Sequence, residues 1–207
     1  MILLNTYQTI FLIIVPVVVI LVIFFVVFYF IRKALYKKNF RYNYYKKIYK
    51  YVLYNDFYLI NDFSFEIDDN VLAKIDHIVF GNKYIFVIND YYYDGDISGK
   101  QNDPSFIFVS RKGKKCYTDN PMLLNMSIVK KLAGKLGVSP SLMIGIVVIN
   151  NNSHIQVKID SKDSYLIQIK NLPSLIRAIE SRNISSINEK QLAHAVKVLD
   201  KINITNK

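Results

Sequence analysis

The chain has 207 residues, a formal net charge of +11 at pH 7 and one cysteine. This length accommodates one ordinary domain and an appendage, and the lone Cys116 excludes an internal disulfide and suits a reducing compartment. The sequence has no internal repeat and no low-complexity linker, which excludes a repeat architecture.

The first predicted element is a transmembrane helix over residues 10–31. This segment has no charged residue, and Pro16 is its only helix breaker. As a helix it would be about 33 Å long, which is enough to cross the bilayer core. A signal peptide, the alternative, would have a basic start, a shorter apolar region and a cleavage site. Because residues 1–9 carry no charged side chain, we expect a retained single-pass anchor.

A basic segment follows the apolar run. Residues 32–50 contain eight basic residues and no acidic one. The positive-inside rule therefore predicts that residues 1–9 lie outside the cell membrane and that the C-terminal domain is cytoplasmic. Basic residues beside an anionic leaflet are attracted to it, and this position favours lipid over nucleic acid as the partner of the segment. The expected lipid contacts are Arg32, Lys33, Lys37 and Lys38.

The first half of the soluble part predicts a helix followed by a meander of strands. Apolar and aromatic residues recur at spacings of three and four and predict one helix face made of Tyr45, Ile48, Tyr49, Val52 and Leu53. Alternating, β-favouring runs then predict strands at 57–67, 73–80 and 84–90, with a turn at 68–70. A further hairpin is predicted from residues 106–110 and the residues around Cys116.

The second half adds helices and a buried strand. A helix is predicted over 119–137, capped by Asp119 or Asn120, with an apolar stripe of Leu124, Ile128, Leu132 and Leu136. The unbroken apolar run 141–150 predicts a strand buried on both faces. Another strand is expected within 164–170, then a helix at 173–181 and a last helix opened by a capping box of Ser186 and Glu189. The predicted fold class is α/β, a mixed sheet flanked by helices, preceded by one N-terminal transmembrane helix.

Several short motifs stand at characteristic distances in this order. Asp-His-Ile-Val occupies 76–79, an apolar run leads to Asn-Asp-Tyr at 89–91, Gly-Asp-Ile-Ser-Gly occupies 95–99, and Asn-Pro opens the helix at 120. Together they resemble the nuclease-related domain (NERD) family of bacterial proteins, which are often membrane-tethered. The resemblance implies a restriction-endonuclease-like core of the PD-(D/E)xK nuclease superfamily. We expect this core over 39–150, with 151–207 packing on it.

The resemblance also implies which positions carry the chemistry. Members of the superfamily hold Mg²⁺ with a strand carboxylate and with the Glu of a Glu-x-Lys motif on the next strand, and the metal activates a water. A Glu on the first helix and a Gln on the following helix complete the family pattern. This chain keeps only Asp76. The four substituted positions are occupied by Tyr45, Asn89, Tyr91 and Leu124.

These losses predict a catalytically silent domain without a metal site or cofactor, acting as a binding module for nucleic acid or protein. In that case Tyr45, Tyr91 and Leu124 are expected to fill the space beside Asp76. One alternative is a Mg²⁺ nuclease with Asp76 and relocated partners, namely Asp94, Asp96, Lys74 and Lys83; strand alternation points Asp90 to the opposite face. Another is a scaffold in an envelope complex.

The candidate nucleic-acid-binding residues form a second basic cluster, Arg111, Lys112, Lys114 and Lys115, around Gly113. A solvated hairpin turn is the alternative interpretation of this cluster. His77 is expected to have a structural role.

Overall fold

The computed structural model describes residues 6–68 and 71–205. The chain divides into two compact units, residues 1–43 and 44–207. In the first unit, helix α1 (Thr6–Lys38) contains the stretch Ile14–Tyr36, which is long and apolar enough to cross a membrane and whose most apolar window contains no buried residue. The turn expected at 68–70 falls partly outside the described residues.

Helix α2 (Phe40–Tyr54) leads into the second unit, which contains nine strands and three more helices among the described residues. The strands are β1 (Tyr58–Asp68), β2 (Val71–Phe80), β3 (Ile85–Tyr91), β4 (Gly95–Lys100), β5 (Ser105–Ser110), β6 (Lys115–Asp119), β7 (Met143–Ile149), β8 (Ile155–Lys158) and β9 (Ser164–Gln168). The helices are α3 (Pro121–Leu136), α4 (Leu172–Glu180) and α5 (Glu189–Ile202).

The strands form two mixed sheets, so the predicted mixed α/β class is confirmed, with two sheets rather than one. The larger sheet has the order β1-β2-β3-β7-β9, in which the first three strands are antiparallel and β3, β7 and β9 run parallel. The smaller sheet has the order β6-β5-β4-β8. All seven residues of β7 are buried, as a central strand covered on both faces requires.

Helices cover both faces of the larger sheet. On one face, buried residues of α3 and α5 pack with β1, β2 and β3. On the other, α2 and α4 pack against β3 and β7. A third cluster joins β4 and β5 to β7 and to the start of α3. The end of β3 therefore lies where the first sheet, the second sheet and α3 meet.

The Gly-Asp-Ile-Ser-Gly segment forms β4. A side chain at Gly95 would overlap the backbone carbonyl of Val109 on β5, so the close pairing of these two strands requires glycine. Asn120 then joins the smaller sheet to α3, because its Nδ2 donates to the carbonyl oxygens of Gln101 and Asp103 at 2.8 and 2.7 Å. Its Oδ1 accepts the Met122 N–H at 2.9 Å, which makes Asn120 the N-cap rather than Asp119.

The buried row of α2 differs from the predicted face. The row packed into the core is Tyr44, Ile48 and Val52, whereas Tyr49 and Leu53 are exposed. Ile48 and Val52 of the predicted face are therefore confirmed as buried. Its other three members lie in the exposed row and Tyr44 was missed, because tyrosine and leucine make both rows of the helix read as apolar.

Three further elements differ from the sequence expectation, and one of them is β4, which was not predicted as a strand because its two glycines are unfavourable in one. The capping box was wrong: α5 begins at Glu189, and its N-cap is Asn188, whose side chain accepts the Lys190 N–H. Strand β8 was not predicted, since its four residues are too short for alternation to stand out.

Candidate active site and basic hairpin

The candidate site is centred on Asp76 and Asn89, on neighbouring antiparallel strands. The register pairs His77 of β2 with Ile88 of β3, so Asp76 and Asn89 lie opposite each other at the next pair of positions. The backbone N–H of Asp76 donates to Oδ1 of Asn89 at 3.0 Å, and the N–H of Asp90 donates to Oδ2 of Asp76 at 2.9 Å. Each side chain thus accepts a hydrogen bond from the backbone of the other strand, and both are buried.

Asn89 is also bonded to α3. Its Nδ2 donates to Oδ1 of Asn125 at 3.3 Å, and Nδ2 of Asn125 donates to the carbonyl oxygen of Val87 at 3.4 Å. The two amides therefore form a relay from β2 to α3, in which each has a donor and an acceptor role. Gly145 on β7 leaves room for the relay, since a Cβ there would lie 3.1 Å from Nδ2 of Asn125.

Asn125, rather than Leu124, is the α3 residue that meets the site. Asn125 is 1% exposed, whereas Leu124 is 55% exposed and does not belong to the buried stripe of its helix. The sequence does contain a signal for Asn125, which lies one turn before the core positions Ile128 and Val129. A polar residue among core positions requires a buried hydrogen-bonding partner.

Tyr91, which the sequence resemblance aligns with the lysine of the Glu-x-Lys motif, stacks on Tyr93 with ring centroids 6.4 Å apart. Burial raises the pKa of Tyr91, and Tyr93 and the carboxylates of Asp76, Asp90 and Asp119 raise it further. The phenol is therefore neutral near pH 7 and supplies no positive charge to a phosphate.

Tyr45, which the sequence resemblance aligns with the glutamate of the first helix, packs against His77. The ring centroids of Tyr45 and His77 are 5.3 Å apart, and Tyr44 approaches the same imidazole at 5.0 Å. Nδ1 of His77 lies 2.6 Å from Oδ1 of Asn61 on β1. His77 is thus held between two aromatic rings and an amide, which is a structural arrangement.

The donor set around Asp76 does not fit a magnesium site. Mg²⁺ prefers an octahedral shell of oxygen ligands that includes carboxylates. Asp76 contributes one carboxylate, and the oxygen of Asn89 already accepts the Asp76 N–H. Within residues 6–68 and 71–205, no group of three or more His, Cys, Asp or Glu side chains is arranged to hold a metal ion.

Three of the residues considered as relocated ligands are engaged elsewhere. Oδ1 of Asp94 pairs with Nε of Arg111 at 2.9 Å, and Nζ of Lys83 donates to the carbonyl oxygen of Arg182 at 2.6 Å. Nζ of Lys74 lies 3.5 Å from Oδ1 of Asp62 in an exposed pair. The structure therefore does not bring these three groups together at Asp76.

The basic cluster forms the tip of the β5–β6 hairpin, as predicted. The turn is closed by hydrogen bonds between Ser110 and Lys114, and Gly113 has the positive φ of 79° that the turn requires. Arg111 is tied to Asp94 by side chain and backbone. All four basic side chains are exposed, and the three lysines form no ion pair with any described residue. Tyr117, on the same edge strand, is also largely exposed.

The comparison with protein families agrees with the motifs and with the fold that positions them. No curated protein and no solved structure matches the chain. The nuclease-related domain profile matches residues 33–150, which is more than half of the chain and begins slightly before the core expected from the motifs. The chain therefore belongs to the nuclease-related domain family.

Proposed function

We propose that this protein is a membrane-anchored member of the family that does not hydrolyse phosphodiester bonds and that binds nucleic acid on the cytoplasmic side. The Asn89–Asn125 relay is the main support for the loss of catalysis. At the position where the family places a metal-binding carboxylate, this chain has a neutral amide whose oxygen and nitrogen are both bonded to protein. Without a bound dication, no group at this site lowers the pKa of a water.

The hairpin tip supports nucleic acid as the ligand. Lys112, Lys114 and Lys115 are exposed cations without a described ionic partner, and phosphate contacts of this kind supply most of the affinity for nucleic acid. The exposed ring of Tyr117 is available for stacking on an unpaired base. This combination favours a single-stranded ligand.

A cleavage assay tests the catalytic half of the proposal. The full chain in detergent is incubated with end-labelled single- and double-stranded DNA and RNA, with Mg²⁺, Mn²⁺ or a chelator. We expect no metal-dependent product. Cleavage that requires the metal and disappears in Asp76→Ala would establish the relocated-ligand nuclease instead.

A binding assay tests the ligand. If three lysines contact the phosphates of a single strand, affinity should fall about twenty-fold between about 50 and 200 mM salt, and Lys112→Gln/Lys114→Gln/Lys115→Gln should remove most of that dependence. The matched control is Lys190→Gln/Lys197→Gln/Lys201→Gln, an equal change of charge on the exposed side of α5. No binding at low salt, or equal effects of the two triple variants, would exclude the hairpin and favour a protein partner in a scaffold.

The single cysteine tests the proposed topology. Cys116 is exposed on β6, so in intact cells a membrane-impermeant maleimide should label it only after permeabilisation. Labelling without permeabilisation would place the domain outside the cell, and release of the chain by an alkaline carbonate wash would show that α1 is not an anchor.

A further inference from the structure

Helix α2 carries an exposed row beside its buried row. Tyr45, Tyr49 and Leu53 follow one another at intervals of four and are 37%, 54% and 69% exposed. Residues four apart lie one above the other on a helix, so these side chains form a continuous aromatic and aliphatic strip. Contiguous exposed apolar surface of this kind marks an interaction site more often than single exposed side chains do.

Lysines border the strip on one side. Lys46 and Lys50 are exposed, are also four residues apart and lie next to Tyr49 and Leu53 around the helix. The helix contains no Asp or Glu. A helix surface with tyrosine and leucine in its centre and lysines at its margin has the chemistry of a helix that lies in a membrane interface. Tyrosine favours the headgroup zone, and lysine is attracted to anionic lipid.

The course of the chain favours a lipid surface over a protein partner. Helix α2 begins two residues after α1 ends at Lys38, so a chain anchored by α1 delivers α2 to the membrane surface. The charge is complementary to an anionic leaflet throughout this region, since residues 32–50 contain eight basic residues and no acidic one.

We propose that the exposed strip of α2, Tyr45, Tyr49 and Leu53 with Lys46 and Lys50, docks the domain on the anionic lipid of the membrane that holds α1. This inference depends on the anchoring stated under the proposed function, but not on nucleic-acid binding or on the absence of catalysis. It extends the lipid contact from the residues directly after the apolar run to the outer surface of the folded domain.

The test uses the full chain in lipid nanodiscs, either of phosphatidylcholine alone or with about 30% phosphatidylglycerol. In a Cys116→Ser background, a nitroxide is attached to Leu53→Cys or, separately, to Tyr49→Cys. The native Cys116 of the unmutated chain, on the hairpin, carries the same label as the matched control. Two positions are used so that a local effect of one label does not decide the result.

In anionic discs, we expect labels at both α2 positions to be shielded from a water-soluble nickel reagent and reached by oxygen, while the label at Cys116 stays accessible to nickel. Because each lysine near such a surface contributes about a five-fold preference, Lys46→Gln/Lys50→Gln should lower the docked-to-undocked ratio roughly twenty-five-fold. The variant Lys197→Gln/Lys201→Gln on α5, which removes the same amount of charge, should leave the docked-to-undocked ratio unchanged.

Nickel access at positions 49 and 53 that is equal in both kinds of disc and in detergent overturns the docking. Shielding that depends on protein concentration, with disulfide formation between Leu53→Cys copies, overturns it in favour of self-association. If the chain does not co-elute with the discs, both the anchoring and the docking are overturned. If it co-elutes but the labels remain accessible to nickel, only the docking is overturned.

Discussion

At the scale of single residues, the chemistry of the site depends on whether position 89 carries a charge. Asn89→Asp keeps the shape of the side chain but replaces the donating Nδ2 by an accepting oxygen. This oxygen would face Oδ1 of Asn125, now 3.3 Å from Nδ2 of Asn89, and the new carboxylate would add a negative charge beside Asp76. We expect a loss of about 1–3 kcal/mol in the free energy of unfolding, measured by denaturant titration. Mg²⁺ or Mn²⁺ should raise the Tm of this variant, because a second carboxylate then lies beside Asp76, and should not raise that of the unmutated chain.

The control for that experiment is Gln101→Glu. Gln101 is another buried amide, whose Oε1 accepts the N–H groups of Asp160 and Ser161 at 3.1 and 3.0 Å. The Gln101→Glu variant should be less stable than the unmutated chain, and its Tm should not rise when the metal is added. An equal rise of Tm in the unmutated chain would contradict the interpretation of Asn89.

Tyr91 makes a prediction about pH. Burial and the nearby carboxylates raise its pKa, so the native state holds the phenolic proton at a pH where the unfolded chain has lost it. Stability should therefore fall as the pH rises above about 10, and Tyr91→Phe should show a smaller fall. Thermal unfolding of both proteins at about pH 8 and about pH 11 measures the difference; parallel curves would show that Tyr91 does not contribute to it.

At the scale of secondary-structure elements, the β2–β3 turn depends on α4. Glu180 accepts the N–H of Lys83 at 3.0 Å and that of Tyr84 at 3.3 Å, and a methyl group on Gly81 would overlap the Glu180 carboxylate. Glu180→Ala should lower the free energy of unfolding by about 1–2 kcal/mol. Gly81→Ala should lower it by a similar amount, because the new methyl group displaces the same carboxylate.

The double variant tests that shared cause. Gly81→Ala should cost little when Glu180 is already alanine, which gives a coupling energy on the order of 1 kcal/mol in a denaturant-based double-mutant cycle. Additive losses would mean that the two residues act on stability independently.

Helices and strands were predictable from the sequence where the spacing of apolar residues, or the residues at both ends, fitted only one kind of element. The apolar run that became β7 and the punctuated helix that became α3 were recovered within a few residues, because burial on both faces and paired end signals leave few alternatives. The buried row of α2 was predicted only in part. Ile48 and Val52 were placed correctly, but periodicity does not distinguish Tyr44, which is in the core, from Tyr45, which is in the exposed row.

At the scale of the whole molecule, the candidate site forms where elements distant in sequence meet. The motif spacing correctly placed Asp76 and Asn89 on adjacent strands. The third residue of the site, Asn125, lies 36 residues after Asn89 on α3. Only the packing of α3 on the larger sheet brings the two side chains within hydrogen-bonding distance. The sequence thus predicted the fold class and the pairing of these two strands, but not the hydrogen bonds that join Asn89 to Asn125.

The central claim is that the nuclease-related fold is retained here while its metal-binding charge has been lost. Titration of Mn²⁺ into the full chain, followed by the electron paramagnetic resonance signal of the free ion, tests this most directly. The account predicts that the unmutated chain and Asp76→Ala leave the same amount of free Mn²⁺ across the titration. A saturable site in the unmutated chain that Asp76→Ala abolishes would contradict the account.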